Sequence, residues 1–136
     1  MVKNTLVTET LSEEMINTGK YLLEQLDLTH SEVKSFFWFF FPEEKTWKLI
    51  IASSIVENKG PRNFYKRIND INKKAEKKDQ KTISLNNIIV VTIENEIVKL
   101  LSFAIKTGDS ISGIRFTGNT INGVYIEDTY IYRSNI

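Results

Sequence analysis

Residue types that commonly carry catalysis are scarce in this chain of 136 residues. It contains no cysteine, which excludes thiolate nucleophiles, thiolate metal sites and disulfides. Its single histidine, His30, lies in a predicted turn, and one histidine without cysteine does not make a transition-metal site. We therefore predict no metal, no cofactor and no catalytic residue, and we favour a non-enzymatic protein.

Glu127 and Asp128 are adjacent carboxylates, the residue types that paired acid–base catalysis uses. Both residues fall in a predicted strand, where neighbouring side chains point to opposite faces of the sheet. The two carboxylates therefore cannot act together on one substrate bond.

The segment IVENKGPRNFY offers a candidate anion site at Lys59, Gly60 and Arg62. We predict a loop there, followed by a helix that begins at Pro61, and free N–H groups at a helix start attract anions. The Gly-Lys-Ser/Thr order of a P-loop is missing. Two alternatives stay open: a small enzyme or sensor that binds an anionic ligand near Gly60, or a Gly-Pro pair that only starts the helix.

The predicted helix 61–78 is strongly basic on its outer surface. Residues 59–81 hold nine basic and three acidic residues, a net charge of +6, whereas the rest of the chain carries −5. Several lysines on one surface can bind phosphates without sequence specificity. The candidates for nucleic-acid binding are Lys66, Arg67, Lys73, Lys74, Lys77 and Lys78. We do not favour this function, because only Tyr65 adds an aromatic ring and lysine-rich helices commonly serve solubility.

Asn122-Gly123 is the strongest hairpin signal in the chain. A two-residue turn there pairs Ile121 with Val124, although Gly118-Asn119 offers a competing turn and leaves the register open.

The Asn122-Gly123 register places four side chains capable of binding on one face of the hairpin. They are Arg115, Asp128, Tyr130 and Tyr132. Tyrosine and arginine are frequent anchors of protein interfaces, so this face is our leading candidate for a partner surface. Cross-strand Arg–Asp and Tyr pairs also stabilise sheets without any function, and the two interpretations are evenly matched.

The run FFWFFF, residues 36–41, and the segment TWKLIIAS, residues 46–53, predict a hairpin that is apolar on both faces. Either helices cover both faces, or a second subunit covers one of them. Since the apolar runs are far shorter than the roughly 20 residues of a membrane span, we predict no membrane insertion. We predict a homo-oligomer, most simply a dimer.

Three helices complete the prediction. The first begins at Thr10 in a capping box with Glu13 and contains Gly19, and the last is a largely buried helix over residues 93–107. The resulting order is αββαβαββ, which indicates an α+β protein with one mixed or antiparallel sheet of about five strands. We predict that residues 1–136 form a single globular domain, and the polar start of the chain and the lack of cysteine favour the cytoplasm.

Two segments, WKLIIASSIVENKGPRNFYKRI and TGDSISGIRFTGNTINGVYIEDTYIYR, resemble small bacterial proteins of no assigned activity. The resemblance implies a free-standing small domain and adds no catalytic residue. Our leading hypothesis is a non-enzymatic binding or protein-interaction module.

Overall fold

The computed structural model describes residues 6–136 and has the predicted order of elements. The helices are α1 (Glu13–Leu28), α2 (Ser54–Lys77) and α3 (Glu96–Ala104). The strands are β1 (Val33–Phe41), β2 (Thr46–Ser53), β3 (Ile88–Val91), β4 (Ile114–Ile121) and β5 (Val124–Ser134). They form one mixed sheet of order β3-β2-β1-β5-β4, in which only β2 and β3 run parallel. The predicted α+β class and single five-stranded sheet are confirmed.

The aromatic strand β1 lies at the centre of the sheet, between β2 and β5. Phe36 and Trp38 are fully buried on the side covered by α1 and α2, and Phe37 is fully buried on the side covered by α3. A central strand buried on both faces needs apolar residues at successive positions, which explains the FFWFFF run. Helices of the same chain cover both faces, as the first of the two alternatives predicted.

Helix α1 begins at Glu13, three positions after Thr10. Ser12 is the N-cap: its hydroxyl accepts from the backbone N–H of Met15 at 3.1 Å, and the Met15 sulfur faces the Ser12 N–H at 3.5 Å. The predicted Thr10–Glu13 capping box is therefore wrong. Burial of Leu11 just ahead of the cap fixes the entry of the chain, in the manner of a hydrophobic staple.

Helix α2 contains a break at Gly60, where φ is 82° and ψ is 165°. Pro61 starts the long second segment, as predicted. The stretch from Ser54 to Lys59, predicted as a loop, is instead a short helical segment capped by Ser53. Gly60 supplies the backbone conformation that joins the two segments, because residues with a Cβ rarely adopt it.

Helix α3 is shorter than the predicted helix over 93–107. It starts after Asn95, whose side-chain oxygen accepts from the N–H groups of Ile97 and Val98, and it ends at Ala104. Only Val98 and Leu101 are buried within it. The prediction of a largely buried helix is wrong, because a helix of nine residues can place only one narrow stripe against the sheet.

The hairpin register is the one set by Asn122-Gly123: Ile121 pairs with Val124 and Arg115 with Tyr130. Gly118 does not turn the chain. It stays within β4 with φ at +56°, and Ile121, three residues later, joins the core on the α3 side.

Strand β5 carries a bulge where it meets β1. Phe36 pairs with Arg133 and Phe37 with Ile131, so Tyr132 is an extra residue between them. A bulge lets two consecutive side chains lean toward one face. As a result, both Tyr132 and Arg133 reach α1.

Between residues 6 and 136, no helix has both the length and the apolar character that a membrane span requires.

Candidate functional site

The predicted Arg–Asp pair of the partner surface is present in the structure. Arg115 donates from Nε and Nη2 to the two carboxylate oxygens of Asp128, at 2.7 and 2.6 Å, and Thr117 donates to the same carboxylate at 3.0 Å. The hydrogen bond with Asp128 raises the pKa of Arg115. The guanidinium also lies 5.7 Å from the centre of the Trp47 ring. These groups satisfy one another, so they are poorly available to a partner.

Tyr132 lies in the interior and not on the predicted partner surface. It is only 1% exposed; its hydroxyl donates to the carbonyl of Ile16 at 2.7 Å and accepts from Nε1 of Trp38 at 3.0 Å. Burial raises the pKa of Tyr132 above its ordinary value. Tyr130 is half-buried, with its ring 5.1 Å from that of Tyr132. Of the four residues of the predicted face, Tyr132 is therefore covered by α1, whereas Arg115 is exposed.

Gly19 permits the close approach of α1 to Tyr132. A Cβ built on Gly19 would collide with the Tyr132 hydroxyl and would lie 3.1 Å from Nε1 of Trp38. Gly19 lowers the stability of the helix itself, but a residue with a Cβ at this position would leave no room for the Tyr132 hydroxyl.

Arg133 was not among the predicted site residues, but it makes several hydrogen bonds in the interior. It is 5% exposed and donates to both carboxylate oxygens of Asp27 at 2.8 Å and to the carbonyls of Val33 and Asp109 at 3.2 and 2.6 Å. It ties α1, β1 and the segment before β4 together. Strict alternation assigns Arg133 to the other face, so no sequence signal indicated this role.

A groove of about 370 Å³ lies between the end of α3 and the edge strand β4. Phe103 and Phe116 line it from opposite sides. Phe103 is 73% exposed, although the predicted buried helix placed it in the core. The other lining residues are Ala104, Asn119, Thr120, Ile121 and Asn122. No ionisable side chain is among them, so this groove is suited to contact and not to proton transfer.

A second groove, of about 550 Å³, lies along the start of the long segment of α2. It is lined by Lys59, Arg62, Asn63, Tyr65, Lys66, Asn69 and Leu85. It brings together two of the anion candidates, Lys59 and Arg62, with one nucleic-acid candidate, Lys66. The third anion candidate, Gly60, forms the break between the two segments that carry them.

The other basic candidates separate into two groups. Arg67 is half-buried and donates to the carbonyl of Thr29 and the hydroxyl of Ser31, each at 3.2 Å, so it supports the turn after α1. Four lysines are exposed and have no ion-pair partner among residues 6–136. They are Lys73, Lys74, Lys77 and Lys78.

His30 is exposed in the turn between α1 and β1. In the described part of the chain, no cluster of three His, Asp or Glu side chains is arranged to hold a metal ion.

No protein-family model, curated protein or solved structure matches this chain. The resemblance of its two segments to small bacterial proteins stays a prediction.

Proposed function

We propose that this chain is a non-enzymatic protein-interaction module of the cytoplasm that forms a homodimer through its α3–β4 face. We define this face as Phe103, Phe116 and the edge strand β4. The observation that carries the proposal is Phe103, which leaves most of its phenyl ring in water at a groove that the half-buried Phe116 also lines. Exposed apolar groups that form a joint surface are typical of interaction sites, whereas single ones are not.

The strand edge adds a second reason. β4 lies at the end of the sheet, so one row of its N–H and C=O groups has no neighbouring strand. Proteins commonly protect such an edge with lysine or proline, and the β4 sequence IRFTGNTI contains neither. Pairing with another strand would satisfy these groups.

A second copy is the partner that the charges favour. The single charged residue of β4, Arg115, is neutralised by Asp128 of its own chain. Two β4 edges can therefore approach without repulsion between like charges. In a two-fold dimer the same face serves both copies, so each Phe103 would lie against the partner's α3–β4 face.

Sedimentation tests the proposal. The wild-type chain of 15.7 kDa should sediment with twice that mass at tens of micromolar, and Phe103→Glu should sediment as a monomer. The substitution buries a charge in the interface but leaves the exposed position of the free chain unstrained, so the folded monomer should persist.

Leu28→Glu is the matched control, because Leu28 is equally exposed, at 71%, but belongs to the other side of the sheet. It should leave the dimer intact. A monomeric wild type at high micromolar concentration, or equal dissociation of both variants, would reject the α3–β4 dimer.

A further inference from the structure

We propose that the groove on α2 binds single-stranded nucleic acid, with one nucleotide in the groove and flanking phosphates along the helix. This function is independent of the proposed dimer, since α2 packs on the face of the sheet opposite to α3.

The groove is positively charged. Lys59, Arg62 and Lys66 line it, no acidic side chain does, and none of the three has an ion-pair partner within the described part of the chain. The segment that contains them carries +6 in a chain of net charge +1, so negative ligands are drawn to this end of the molecule.

The cationic surface extends from the groove along the long segment of α2. Arg62, Lys66, Lys73 and Lys77 are separated by four, seven and four residues and fall within an arc of about 60° on one side of the helix. At 1.5 Å per residue the stripe is about 22 Å long. A stacked strand that rises about 3.4 Å per nucleotide would place about six nucleotides along it.

The chemistry inside the groove favours a single strand over a duplex. Tyr65 and Leu85 provide apolar surface for the face of a base, and the amides of Asn63 and Asn69 can exchange hydrogen bonds with its edge. The Tyr65 ring is held in place because its hydroxyl donates to the carbonyl of Ile88 and accepts from the N–H of Val90. A duplex keeps its bases paired and would use only the cations.

Gly60 positions the two halves of the groove. Lys59 ends the short segment of α2 and Arg62 begins the long one, and the break at Gly60 sets the angle between them. The groove therefore depends on a backbone conformation that an uninterrupted helix would not supply.

The test measures fluorescence anisotropy of a labelled twelve-nucleotide oligo(dT) with the full chain. If the four stripe cations each contact a phosphate, the logarithm of the binding constant should fall with the logarithm of salt concentration with a slope of about −3. Affinity should then drop about fifty-fold between 50 and 200 mM salt.

Two double variants with the same change in charge identify the surface. Arg62→Glu with Lys66→Glu removes groove cations and should weaken binding at least ten-fold. Lys74→Glu with Lys78→Glu changes exposed lysines of the same helix that lie off the stripe, and it should weaken binding less than three-fold. Phe103→Glu should bind as wild type does.

Four results would overturn the inference, and the first three concern the oligonucleotide and the double variants. These three are no binding at 50 mM salt, equal losses in the two double variants, or binding of a twelve-base-pair duplex as tightly as the single strand. Competition by thymidine monophosphate at the concentrations effective for the oligonucleotide would also overturn it, because that result indicates a small-anion site.

Discussion

Replacement of Gly19 by alanine tests how α1 is fitted to the sheet. In an exposed helix the change would stabilise the protein by about 1 kcal/mol, because alanine has the higher helix propensity. Here the new Cβ would lie 3.0 Å from Cζ of Tyr132 and closer still to its hydroxyl. Crowding of the core lowers the free energy of unfolding by about 2 kcal/mol. Displacement of the hydroxyl leaves Nε1 of Trp38 buried without an acceptor, which lowers it by about 2 kcal/mol more.

The net expectation for Gly19→Ala is a loss of about 3 kcal/mol in the free energy of unfolding. For a chain of this size that loss lowers the melting temperature by about 10 °C. Urea denaturation followed by tryptophan fluorescence measures it directly, since Trp38 lies at the contact. Lys20→Ala, at the neighbouring exposed position, is the control and should change stability by less than about 0.5 kcal/mol.

A double-mutant cycle with Tyr132→Phe isolates the contact. Without the hydroxyl, Gly19→Ala should cost about 2 kcal/mol less than it does in the wild type. If Gly19→Ala is as stable as the wild type, or if Tyr132→Phe gives no relief, then the close approach of Gly19 to Tyr132 is not what requires glycine.

Two further predictions concern buried polar groups. Asp27→Asn should lower the free energy of unfolding by about 3 kcal/mol, because it leaves the 5%-exposed guanidinium of Arg133 without its counter-charge. If urea denaturation shows the variant to be as stable as the wild type, Asp27 does not have this role. Because burial raises the pKa of Tyr132, the unfolded chain loses this proton first, so stability is retained below about pH 10 and falls above it. At pH 11 the loss from this group is about 1.4 kcal/mol. Tyr132→Phe should flatten the decline seen in denaturation curves between pH 10 and 11, and an unchanged slope would refute the assignment.

Local sequence patterns predicted the order of elements and the presence of both hairpins, although the competing Gly118-Asn119 turn left the register of the second hairpin open. These features depend on local signals that tertiary contacts did not override. FFWFFF alternates its rings between the two faces of any strand, and Asn122-Gly123 supports the left-handed turn that fixes the register of β4 with β5. The need to cover both faces of β1 followed from the same apolar run.

The candidate surfaces were predictable only in part. The basic side chains of α2 are visible in the sequence, but the groove also requires Leu85, which lies nineteen residues after Lys66 and is brought beside α2 by the chain that leads into β3. Arg67 was predicted as a nucleic-acid contact, yet its Nη1 donates to Thr29 and Ser31 in the turn after α1. Whether a cation is available depends on what the fold places next to it.

Tertiary contacts determine which side chains of the last hairpin reach the surface. The bulge in β5 turned Tyr132 and Arg133 toward the same helix, whereas period-two alternation separates them. The short length of α3 left Phe103 in water, although its helical position predicted burial. A sequence pattern fixes the direction of a side chain relative to its own element, but burial depends on whether another element extends far enough to cover it.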